Sequence, residues 1–133
     1  MTFSIIHRVQ FAETDAAGIV HFSNYFRWME EVEHAFFRSL GLSVQMRHED
    51  KEIGWPRVSA GCDYEGPARF EDEVELRMSI GRIGEKSLSY KVEFINRGKR
   101  IATGHSTSVC CELGGDGGIK AIRIPDDIRA RLE

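Results

Sequence analysis

The chain has 133 residues, 41% of them hydrophobic, with 18 Lys plus Arg against 21 Asp plus Glu and a formal net charge of -3. A single domain of this size buries roughly two-thirds of its unfolded surface, so it can build a real core. The slightly acidic balance excludes nucleic acid or an anionic membrane as a standing partner, and no apolar run approaches the ~20 residues of a membrane span.

The opening "MTFSIIHRVQF" lacks a basic region followed by an apolar one, which adds to the expectation of a soluble cytoplasmic protein. Phe3, Ile5, His7, Val9 and Phe11 share one parity and predict a half-buried first strand ending near Phe11. "ETDAAGIVHFSN" then carries Asp15 into a small-residue turn closed by Gly18, with no Lys or Arg among its immediate neighbours. Ser23 or Asn24 is placed to cap a helix in which Phe22, Tyr25, Phe26, Met29, Val32, Phe36, Phe37 and Leu40 recur at helical spacing. Gly41 is placed to end that helix in a left-handed cap after about 17 residues. Trp28 widens the apolar stripe beyond what a surface helix requires, which predicts a helix wrapped by a sheet.

From Val58 onward the pattern turns to strands: "RVSAGCDYEG", "DEVELRMSIGRI", "SLSYKVEFIN" and "RIATGHSTSVCCEL". The connectors "PARFE", "GEK", "RGK" and "GGDGG" suit antiparallel hairpins, so the four segments read as a meander. The layout is α+β, with one curled antiparallel sheet of about five strands around a long central helix in a single domain, residues 1–133. Such a sheet leaves edges and an open face that homo-oligomerisation would cover.

Several patterns carry less than they suggest. "GHSTS" lacks the final glycine of a nucleophile elbow and lies inside a strand. Glu31 and His34 form a Glu-x-x-His pair, but a dinuclear site needs a second pair and further Glu ligands from other helices; no metal or cofactor is expected. "GGDGG" lacks the strand-before, helix-after context of a phosphate loop and reads as a hairpin. Cys62, Cys110 and Cys111 are odd in number, and the adjacent pair would point to opposite faces of a strand, so they are read as reduced. Neither Cys110 nor Cys111 has a cationic neighbour to activate a thiolate.

"ETDAAGIVHFSNYFRWMEE" resembles the N-terminal signature of the 4-hydroxybenzoyl-CoA thioesterase family of hotdog-fold proteins, and "PARFEDEVEL", "EKSLSY" and "KAIRIPDDI" resemble its later landmarks in order. The resemblance covers nearly the whole chain. It implies a thioesterase acting on an acyl-CoA, with Asp15 as nucleophile or as general base toward water. The backbone N–H of Phe22, at the helix N-terminus, would steady the oxyanion, and Gly18 would shape the turn. The local alternative is that Asp15 merely forms an Asx-turn with the residues after it.

The aromatic wall of Phe22, Phe26 and Trp28 points to an aryl or short acyl group, with Phe26 and Trp28 in the acyl pocket. His21 is either a further pocket contact or a half-exposed cap, because the histidine of one thioesterase branch aligns one position later, at Phe22. Of the family's basic CoA grip only Lys86 falls at a matching position, with Arg82 nearby and Arg97, Lys99 and Arg100 in the next hairpin as alternatives. A dimer or a dimer of dimers, a homotetramer, is expected. An acyl-carrier-protein thioesterase and a non-catalytic acyl-binding module remain as alternatives, whereas a dehydratase lacks its histidine.

Overall fold

The alternation along residues 3–9 holds in the computed structural model, which describes residues 2–133. In β1 (Thr2–Arg8) the half-buried positions are Phe3, Ile5 and His7, and the residues between them are exposed. The strand stops short of Phe11, because Phe11–Glu13 winds into a 3-10 turn that leaves the Phe11 ring 73% exposed.

α1 (Asn24–Ser39) is short rather than long, 16 residues. Its buried apolar face is Tyr25, Trp28, Met29, Val32, Phe36 and Phe37, at the spacing of one helical stripe. Phe22 and Phe26 were expected in that stripe, but both are exposed. Ser23 stands at the N-cap without a side-chain capping bond. At the other end Gly41 is left-handed at φ +75°. Its N–H donates to Arg38 C=O and that of Leu42 to Phe37 C=O, closing the helix as a Schellman motif.

The remaining elements are β2 (Gln45–His48), β3 (Lys51–Gly54), β4 (Arg57–Tyr64), β5 (Glu73–Ile83), β6 (Ser87–Asn96), β7 (Lys99–Val109), β8 (Cys111–Gly115), β9 (Gly118–Ala121) and α2 (Asp126–Leu132). The α+β class is as expected, but the strands form two antiparallel sheets rather than one: β1-β5-β6-β7-β4 and β2-β3-β8-β9. The meander is likewise confined to β5-β6-β7. β4 pairs with β7, Tyr64 opposite Ala102, while β1 takes the place beside β5. "PARFE" is therefore a crossover from the β4 edge to β5, next to the opposite edge, and not a hairpin. The last long segment breaks at Cys110, whose N–H donates to Lys86 C=O, and β8 and β9 then form a hairpin across "GGDGG".

α1 packs on the inner face of the five-stranded sheet, against Leu76 and Met78 of β5 and Val92 and Phe94 of β6, all within a single buried cluster. Helix and sheet approach closely at Gly104 of β7, where a Cβ would meet Met29 Sδ at 2.5 Å. Among the described residues, no helix is long and apolar enough to cross a membrane.

Candidate active site

Asp15 lies in a loop that the backbone closes on itself. Thr14 and Val20 form an isolated bridge, Asp15 N–H donates to Ile19 C=O at 2.9 Å, and Gly18 N–H returns to Asp15 C=O at 2.9 Å. The turn requires φ +78° at Gly18, a conformation that side chains with a Cβ rarely adopt. Val20 N–H donates to Ala68 C=O and so docks the loop on the crossover after β4. The Asx-turn is present: Asp15 Oδ1 accepts the Ala17 N–H at 2.9 Å. Asp15 is exposed, and among the described residues its Oδ2 takes no hydrogen bond.

The loop leads directly into α1. His21 Nδ1 accepts the Ser23 N–H at 3.3 Å and lies 2.7 Å from Ser23 Oγ, with its ring stacked on Phe22. That makes His21 the local cap, the second of its two expected uses. Tyr64, at the end of β4, donates its hydroxyl to Phe22 C=O at 3.0 Å. Burial pushes that hydroxyl up to about 12, so it remains a donor at neutral pH. Among the described residues the Phe22 N–H has no acceptor.

Asp15, Ile19, Val20, Phe22, Tyr25, Tyr64, Gly66 and Pro67 line a cleft of about 210 Å³. Its aromatic wall is Phe22, Tyr25 and Tyr64. Of the expected wall residues Phe22 lines it and the others lie elsewhere: Trp28 is 1% exposed in the core, with its indole N–H on Glu13 Oε2, and Phe26 and His21 are exposed outside the lining. Tyr64 and Glu13 were missed by the sequence reading, because their contacts join segments 42 and 15 residues apart in sequence. A larger hollow, about 560 Å³, lies beside β2 and α2, but His48 and Asp127 in its wall are paired with each other at 3.0 Å.

The basic residues divide between two ends of the sheet. Arg97, Lys99 and Arg100 lie near the β6–β7 turn, at the end that carries Tyr64. Arg97 is paired with Asp72 at 3.0 Å, and Arg100 with Glu65 at 3.2 Å and Glu93 at 3.5 Å. Arg82 and Lys86 flank the β5–β6 turn at the opposite end, some seven strand residues or about 23 Å along β7 from the register of Tyr64. Within one chain, these two do not meet Asp15.

"GHSTS" lies within β7. The three cysteines are free, and burial pushes the Cys62 and Cys111 thiols up and that of Cys110 to about 11, against thiolate chemistry. Glu31 turns from His34 to His7, with Oε2 3.0 Å from Nδ1. Among the described residues, no three His, Cys, Asp or Glu side chains gather as a metal site.

A solved gentisyl-coenzyme A thioesterase is 36% identical to the chain, with a TM-score of 0.85 over 98% of this chain and 100% of that one. A protein of Aquifex aeolicus named provisionally as an esterase is 32% identical over 96% of this chain and 95% of its own. A 1,4-dihydroxy-2-naphthoyl-CoA hydrolase of Prochlorococcus marinus is 29% identical over 71% of this chain and 68% of its own. Residues 9–132 match the family described as the thioesterase-like superfamily, so the hotdog resemblance carried by the Asp15 signature is sound and the chain belongs to that superfamily.

Proposed function

We propose that the chain hydrolyses acyl-CoA thioesters, with Asp15 attacking the acyl carbon or activating water, and with the Phe22 N–H receiving the oxyanion. The observation that carries this reading is the pairing of an exposed carboxylate with an unclaimed N–H at a helix start, both on residues lining one cleft. A thioester suits a weakly basic carboxylate, because its carbonyl gains little resonance and thiolate leaves readily. The cleft's small volume and its three aromatic walls favour an aryl or short acyl group, the class named in two of the relatives. Of Arg97, Lys99 and Arg100, Lys99 is the one left without an ion pair among the described residues, and it is our candidate for CoA phosphate from within the same chain. Arg82 and Lys86 would serve only from a second copy. The edge position of β4, with Val58 63% exposed on it, supports a dimer or a dimer of dimers, which light scattering would test.

The deciding experiment follows cleavage of benzoyl-, acetyl- and palmitoyl-CoA directly by absorbance or chromatography, with wild type beside Asp15→Asn. The wild type is expected to prefer benzoyl- or acetyl-CoA, and the folded Asn variant to lose about 100-fold or more in rate. Full activity in Asp15→Asn would remove the acid from the mechanism, and a clear palmitoyl preference would remove the compact-acyl assignment.

A further inference from the structure

Glu13 stands two residues before Asp15 and gathers donors from β1, the Asp15 loop and α1. Its carboxylate accepts the Gln10 N–H at 2.8 Å, His7 Nε2–H at 2.9 Å and the Trp28 indole N–H at 2.8 Å. Its own C=O accepts the His21 N–H and Asn24 Nδ2–H, each at 2.9 Å. These donors come from β1, the 3-10 turn, the loop exit and α1. The array is backed by a further contact, since His7 Nδ1 reaches Glu31 Oε2 at 3.0 Å and the His7 ring lies 4.7 Å from that of Trp28.

One residue therefore fixes both ends of the loop. The side chain holds the entry to β1 and to the body of α1, and the carbonyl holds the exit to the first residue of the helix. Asp15 and the Phe22 N–H are separated by that loop, whose other ties are its internal backbone bonds and the Val20 N–H on Ala68 C=O. Asp15 bonds only within the loop, and Phe22 is tied through Tyr64 on its opposite, carbonyl side.

We propose that Glu13 is a positioning residue that sets Asp15 against the Phe22 N–H, an inference resting on the hydrolytic reading above. Losing the carboxylate frees the loop entry from β1 and the body of α1 while the carbonyl still holds the exit, so Asp15 shifts against the helix start, and a misplacement of about 1 Å at a reacting group costs about 100-fold in rate. Substrate contacts along the cleft wall are untouched, so the loss falls on kcat and not on KM.

The test uses Glu13→Ala and Glu13→Gln, with kcat and KM for benzoyl-CoA and amide hydrogen exchange of the whole chain. Glu13→Ala is expected to lower kcat about 100-fold with KM held within about threefold, and Glu13→Gln, which keeps one acceptor oxygen, to recover part of that loss. Exchange across residues 14–24 should speed at least about tenfold while β6 keeps its protection. Glu13→Gln guards against Glu13→Ala failing to fold. Loop exchange unchanged in the folded variants, a kcat equal to wild type, or exchange rising equally in β6 overturns the clamp. A wild type that cleaves no acyl-CoA instead overturns the hydrolytic reading, and the exchange data still decide whether Glu13 orders the loop.

Discussion

Among the carboxylates that tie α1 to the rest of the chain, Glu13 and Glu33 are held by different physics. Glu13, at the helix entrance, is half-buried among several N–H donors. Glu33, at mid-helix, is 3% exposed and faces Arg57, whose Nη2 lies 2.8 Å from Glu33 Oε1. The same guanidinium reaches Ser106 Oγ at 2.6 Å, Tyr90 Oη at 3.1 Å and Glu30 at 3.6 Å. Partial burial works to raise the Glu13 carboxyl, yet hydrogen bonds from Gln10, His7 and Trp28 outweigh it and hold it below the usual carboxylate range. Burial pushes Glu33 up to about 7, with Arg57 opposing and Glu30 reinforcing the rise. Several aimed donors thus lower one carboxyl, whereas a single guanidinium only partly offsets the burial that raises the other.

The signs of the two pH effects are opposite. A carboxyl held low adds stability above its ordinary range, which is lost as pH falls through the lowered value. One held high adds stability below that range, which is lost as pH rises toward about 7. The largest expected effect is at Arg57. Arg57→Ala should cost about 3–5 kcal/mol in urea unfolding at pH 8, where Glu33 must either stay buried without its cation or be driven to take a proton, and clearly less at pH 5, where Glu33 takes a proton without that cost. An equal cost at both values would mean that Glu33 is ionised throughout. Glu33→Gln comes next: wild-type Tm should fall between pH 5 and pH 8 and the variant's should not, a difference of a few degrees in scanning calorimetry. The smallest effect belongs to the cleft. Tyr64→Phe removes one hydrogen bond from the Phe22 peptide and should lower kcat about 3- to 10-fold at pH 7, without changing the melting temperature measurably.

How far the chain could be read in advance follows the same division. Asp15, Gly18 and the Gly41 stop were legible because each is a local backbone demand written in adjacent residues. The stripe of α1 was legible by period, although its sequence did not show that Phe22 and Phe26 turn outward while Trp28 turns into the core. β2 and β3 were invisible, since "QMRH" and "KEIG" are four residues each and too polar to alternate visibly. The crossover of β4 to the far side of β7 was hidden because short, turn-rich connectors read as hairpins. Glu13 escaped for a related reason. Nothing in a solitary glutamate before a threonine announces that an indole 15 positions later points at it.

The pairing of β1 with β5 also dictates an order of events during synthesis. Residues 2–8 find their partners only at residues 73–79, so a growing chain carries Asp15 for most of its length before the strand that bears His7 can be seated. Sequence-distant pairing of this kind is slow, because loop closure precedes any reward from contact. The Asp15 end, encoded first, therefore cannot seat its first strand until β5 has been made, and a chain that stalls before β5 carries the signature without β1 in place.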